Sequence, residues 1–165
     1  MKEKWSVKTN LTRNAVSHTI PTMQTPRIVI DTNVFISAIR SQYGASYRLL
    51  NLIDSGKFHV FISATLILEY EEVALRLLHQ TNLTPNRLEA ILDYISLVAY
   101  SQKIYYLWRP LLRDADDDMI LELAIAGQCD AIITFNTKHF SGAERFGVQV
   151  LTPKQFLKQI GEQLL

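Results

Sequence analysis

The stretch RIVIDTNVFISAIR, residues 27–40, changes hydrophobic period partway along its length. Residues 27–31 form a β-branched apolar run closed by Asp31, which reads as a strand. Residues from about 33 to 40 carry Val34-Phe35-Ile36 and read as a helix. Working outward, the same alternation repeats. ASYRLLNLIDSG (45–56) is a second helix running to a Gly56 stop, and KFHVFIS (57–63) is a second strand. Ser63 is placed to cap a helix in which Leu66, Tyr70, Val73, Ala74 and Leu77 recur. Another helix is predicted over about 84–99, with Thr84 as N-cap and Pro85 in the first turn. KIYYLW (103–108) is predicted as a third, shorter strand, Asp116 to Gly127 as a helix, and AIITF (131–135) and VQVL (148–151) as strands. Thr152-Pro153 opens a last helix. Short apolar strands alternating with helices define an α/β domain around a parallel sheet. Upstream, residues 1–26 are rich in Thr, Asn and Ser, with apolar residues placed singly. They read as a flexible polar arm, or as an extension if translation starts at Met23, ahead of a single domain over 27–165.

Composition narrows the chemistry. The chain has 165 residues, of which 48% are hydrophobic and 20% charged, enough to bury a core without staples. A lone Cys129 excludes a disulfide framework or a multi-cysteine metal site and suits a reducing cytoplasm. The four His are scattered without HxxxH spacing, which argues against a histidine-rich zinc centre. Charged residues interrupt every apolar run, so no membrane span is predicted. A net charge of +1 argues against bulk electrostatic binding of nucleic acid and leaves room for local contacts.

The acids fall at telling places. Asp31 ends the first strand, where open parallel sheets bind ligands, although Asp-Thr-Asn is also a good helix cap. In RDADDDMILELAIA (113–126), four acids crowd five residues, more than a helix N-terminus needs, and a bound cation would relieve their repulsion. Glu122 lies further along that helix among apolar residues and is read as reaching solvent or pairing with a Lys. Glu69 flanks the apolar face of its helix. In Ile132-Ile133-Thr134-Phe135-Asn136 a buried strand empties into polar residues, which lie near Asp31 if the two strands are neighbours. Asn136 can present its carbonyl oxygen to a metal or to a metal-bound water.

Taken in order, IVIDTNVFISA, ISATLILEYEEVALR, RDADDDMILELAIAGQCDAIITFNTKHF and FGVQVLTPKQFL resemble the PIN-domain family, in particular the PIN-type ribonuclease toxins of prokaryotic toxin-antitoxin pairs. The resemblance spans about residues 27–158. It implies a three-layer α/β/α sandwich with a mainly parallel sheet of four to five strands, and Mg²⁺- or Mn²⁺-dependent endoribonuclease activity. It also implies a homodimer and a cognate antitoxin protein. Matched position by position, Asp31 is the acid closing the first strand, Glu69 the helix acid, and Asp118 the acid opening a DxxLxxA-like helix, with Asp116 and Asp117 as supporting neighbours one or two register steps away. Asn136 stands where many members have Asp, and Thr134 matches the hydroxyl residue that orients the site. Hard oxygen donors of this kind suit Mg²⁺ or Mn²⁺ bound to open water positions. Lys138, Arg113 and Arg145 are candidate phosphate contacts. Two rival readings are a haloacid-dehalogenase-like phosphatase, which would want an Asp where Asn33 stands, and a receiver domain, whose paired acids come earlier. A further alternative is a catalytically impaired PIN-like domain that binds RNA or protein, with Asn136 replacing a carboxylate.

Overall fold

The computed structural model describes residues 24–105, Leu112 and residues 115–162, with side chains described from Asp117 onward in the last segment. Five strands form one parallel sheet: β1 (Arg27–Ile30), β2 (His59–Ile62), β3 (Tyr100–Ser101), β4 (Ala131–Ile133) and β5 (Gln149–Leu151). Their spatial order is β3-β2-β1-β4-β5, so the chain steps to one side of β1 for two strands and then returns to the other side. The strand order therefore reverses at the β1/β4 junction, where the diverging connections leave a crevice at the carboxyl edge.

Helices cover both faces, as a parallel sheet requires. α1 (Thr32–Arg40) packs on α2 (Ala45–Asn51) and α3 (Ala64–Arg76), α3 packs on α4 (Pro85–Val98), and α2 packs on α6 (Pro153–Gln159). By contrast α5 (Ala115–Ala126) lies against β1, β2 and β4. This is the three-layer α/β/α sandwich that the sequence implied. Ser63 and Thr84 cap their helices as expected, each side chain accepting from a backbone N–H three residues on. Thr152 forms a full capping box with Gln155. No helix among the described residues is long and apolar enough to cross a membrane.

One strand is displaced from its expected place. The third strand is Tyr100–Ser101, directly after α4, rather than 103–108. Of the predicted segment, residues 103–105 are not strand, and 106–108 lie outside the described residues. The physical reason is at the sheet edge. Tyr100 pairs with Phe61 in register and stacks on its ring at 5.3 Å, with His59 edge-on to Tyr100 at 4.9 Å. Aromatic pairing across the strands thus selects the register.

Register places the polar strand ends together. Ile30 pairs with Ile133, so Asp31 and Thr134 leave the sheet side by side, and the Asp31 N–H donates to Ile133 O at 2.9 Å. Tyr70, buried in α3, stacks on Phe35 of α1 at 4.5 Å and donates its hydroxyl proton to Ile30 O. That bond ties the end of the central strand to the helix carrying Glu69. Apolar residues occur on every side of α5, with Ile120, Leu121, Leu123 and Ala124 buried. Its close is tight, because a Cβ on Gly127 would stand 2.9 Å from the Phe61 ring.

Two outcomes are expected. Tyr70→Phe leaves Ile30 O without its donor and should lower stability by about 1–3 kcal/mol in urea unfolding. Burial pushes the Cys129 thiol up to about 12. The folded protein should therefore resist thiol reagents at neutral pH and react fully once unfolded.

Candidate active site

At the β1/β4 switch point a cleft of about 770 Å³ opens, lined among others by Asp31, Asn33, Glu69, Asp117, Asn136 and His139. Asp31 is only 8% exposed, and its carboxylate is held by its neighbours. Oδ2 accepts from the Thr134 hydroxyl at 2.6 Å and from Asn33 Nδ2 at 2.7 Å. Asn33 Nδ2 also reaches Thr134 Oγ1 at 3.1 Å, and its Oδ1 accepts from the Phe135 N–H at 3.2 Å. Thr134 Oγ1 in turn accepts from the Asn136 N–H at 2.9 Å. Asp31, Asn33 and Thr134 thus form one hydrogen-bonded unit across the two central strand ends. Asp31 occupies the N-cap position of α1, yet its side chain makes no capping bond. The carboxylate turns chiefly to Thr134, while the Thr32 and Asn33 N–H groups at the start of α1 still favour its charged form.

Glu69 reaches the cleft from α3. It lies on a helical stripe with Val73 and Leu77, at i, i+4 and i+8, and all three line the cleft. The Thr32 hydroxyl donates to Glu69 Oε1 at 2.5 Å, joining α1 to α3 beside Asp31.

The acidic run divides between two directions. Asp117 lines the cleft, whereas Asp118 does not. Asp118 is 1% exposed, and its Oδ1 accepts from the Leu112 N–H at 2.6 Å. Successive helical residues point roughly 100° apart, so one acid of the pair faces the cleft while the next turns inward to receive a backbone donor. The Asp116 side chain lies outside the described residues, as does Arg113. Glu122 is also buried, 2% exposed, rather than reaching solvent.

Sequence reasoning passed over His139 and Asn33. His139 lies in the 3₁₀ turn Thr137–Phe140, and its Nδ1 stands 3.1 Å from Asp117 Oδ2. The signal for Asn33 was present in the Asp-Thr-Asn triplet but was read as capping potential. Of the candidate phosphate contacts, Lys138 is exposed near the cleft mouth. Arg145 is occupied locally, with Nε donating to Gly142 O at 3.2 Å.

Asp31 is electrostatically burdened. Burial raises its pKa from the usual carboxyl value, the Thr134 hydroxyl opposes that rise, and the negative charge of Asp117 adds to it. Among the described residues, no three acid, imidazole or thiol groups gather closely enough to enclose a metal ion. The carboxylate and amide oxygens that line this open cleft suit Mg²⁺ or Mn²⁺, which bind through one or two carboxylates and retain waters and substrate oxygens.

The family model for the PIN domain matches residues 27–138, covering both central strands and all the cleft acids. The chain belongs to the PIN-domain family. Among curated proteins no sequence matches it. Its fold is similar to that of a chain in the crystal structure of VapBC2 from Rickettsia felis bound to a DNA fragment from their promoter. The TM-score is 0.53 and the identity 16%, covering 76% of this chain and 98% of that one.

The burial of Asp31 has a measurable sign. A carboxyl whose folded pKa exceeds its unfolded value binds protons better in the folded state, so stability falls as pH rises through that interval. In EDTA, Asp31→Asn should therefore raise Tm at neutral pH and remove part of that decline. A lower Tm for the variant in melts across pH would mean that the charged form is the better satisfied one.

Proposed function

We propose that this PIN domain is a metal-dependent endoribonuclease acting as the toxin of a toxin-antitoxin pair, with Asp31, Glu69 and Asp117 as its acidic ligands for Mg²⁺ or Mn²⁺. The observation that carries the reading is that those three carboxylates, from three separate elements, line one cleft at the strand-order reversal. The matched positions of the family resemblance support Asp31 and Glu69, and the cleft lining favours Asp117 over its neighbour Asp118, the acid that the resemblance matched. The VapBC2 likeness supports an antitoxin partner. A homodimer, RNA as substrate and a cytoplasmic setting complete the proposal on family grounds.

When bound, the metal supplies Lewis acidity toward a phosphodiester oxygen and a water of lowered pKa. The chain's own residues do the rest. Thr134 and Asn33 hold the Asp31 carboxylate in one orientation, so its outer lone pairs face the cleft. Thr32 does the same for Glu69, and His139 stands against Asp117. Asn136, carried on a backbone N–H fixed by Thr134, presents an uncharged carbonyl and amide where a fourth carboxylate would add repulsion. Its role is to orient a water or a phosphate oxygen. By the family resemblance, hydrolysis here would leave a 5′-phosphate and a 3′-hydroxyl.

Cleavage of a mixed single-stranded RNA panel in Mn²⁺, Mg²⁺ or EDTA tests the reading. Metal-dependent cutting is expected, with Asp31→Asn and Asp117→Asn each losing about a hundredfold or more and Asp118→Asn retaining most activity. If Asp118→Asn is silenced and Asp117→Asn is not, the acidic register is the one first expected. If folded, partner-free protein neither cuts nor binds Mn²⁺ by calorimetry, the domain is a catalytically impaired binder, with Asn136 as the leading reason.

A further inference from the structure

The cleft does not stop at its acids. It continues along the seam between α1 and α3, and its two walls are helical stripes. On α1, Asn33, Ile36, Ser37 and Arg40 recur at i, i+3, i+4 and i+7. On α3 and its C-cap, Glu69, Val73 and Leu77 recur at i, i+4 and i+8. Along this seam the lining changes character. Carboxylates gather at the strand ends, half-buried Val73 and Leu77 with Ile36 form an apolar middle, and Arg40 with Ser41 stands at the far end. Arg40 closes the last turn of α1, about 10 Å along the helix from Asn33. It is exposed, and no side chain among the described residues pairs with its guanidinium. It is also the only Lys or Arg that lines the cleft among the described residues.

That order matches a particular ligand. A nucleic-acid strand repeats a phosphate, which the metal-binding end engages at the scissile position, then offers a base, and then another phosphate. An apolar wall accepts the face of an unstacked base, and a guanidinium accepts a phosphate in bidentate fashion. A helical duplex keeps its bases stacked inside and cannot lay them against Ile36 and Val73. The chain is near neutral, so its net charge attracts a polyanion only weakly and a well-placed cation has a large share of the electrostatic work.

We propose that the α1–α3 seam is the channel for a single RNA strand, with Arg40 binding a backbone phosphate beyond the scissile one and Ile36, Val73 and Leu77 receiving the intervening base. The proposal rests on the nuclease reading of the acidic end. Arg40 is a binding residue that holds the strand in line with the acids and takes no part in the chemical step.

An end-labelled single-stranded RNA of mixed sequence, titrated by fluorescence anisotropy into the full chain in Ca²⁺ over a salt series, tests it. Arg40→Ala and Arg40→Lys are compared with the parent protein, and thermal melts check that each variant is folded. Arg40→Ala should weaken binding about fivefold to tenfold, and the slope of log K against log salt should become shallower by about 0.7, the value for one lost single-strand phosphate contact. Arg40→Lys should keep the slope. In Mn²⁺ the Arg40→Ala defect should fall on KM and leave kcat near the parent value. Unchanged affinity and slope in Arg40→Ala, alongside cutting by the parent protein, overturns the channel and leaves the nuclease reading intact. Arg40-dependent binding without cutting in any metal overturns the nuclease reading and keeps the channel. No binding by the parent protein overturns the channel.

Discussion

A carboxylate buried at the end of a central strand is the constraint around which this domain is arranged. Asp31 is almost wholly enclosed, and a charge so placed is costly unless donors surround it. Its donors come from two places that only the folded sheet brings together. Asn33 lies two residues on, and Thr134 lies at the end of a strand more than a hundred residues later. The β1/β4 register, Ile30 opposite Ile133, makes the Thr134 contact available. A slip of one residue would turn Thr134 to the other face of the sheet and leave Asp31 short of a donor.

From that unit the rest of the cleft follows by short links. Tyr70 holds the Ile30 carbonyl and thereby fixes α3 against β1, which carries Glu69 to the rim beside Asp31. Thr32 bonds Glu69 directly. α5 brings Asp117 from the other direction while Asp118 receives the Leu112 N–H and anchors the helix entrance. Two adjacent acids therefore divide the labour, one facing solvent and one serving the backbone. Burial raises the Asp31 pKa first, and the Asp117 charge that adds to that rise also makes the cleft receptive to a cation. A site of this kind is held at some cost in stability, as functional clefts often are.

The alternation of strand and helix from Arg27 onward, the caps at Ser63, Thr84 and Thr152, and the place of Asp31 at a strand end were all legible in the sequence. Those features depend on local periodicity and on side chains that bond their own backbone, and both are written in consecutive residues. What the sequence left open, only the tertiary structure decided. Helix α5 carries apolar residues on every side, so its periodicity gives no direction, and nothing local tells which of Asp116, Asp117 and Asp118 turns to the cleft. The third strand falls at Tyr100, where an aromatic partner stands across the sheet in Phe61, a pairing that the aromatic-rich run 103–108 could not reveal from its own sequence. His139 and Arg40 drew no notice because their meaning lies in what stands opposite them, Asp117 in one case and an apolar seam leading to three acids in the other. Element type is a property of neighbours along the chain, whereas the membership of a cleft is a property of strand order and register, which bring together residues that the sequence keeps far apart.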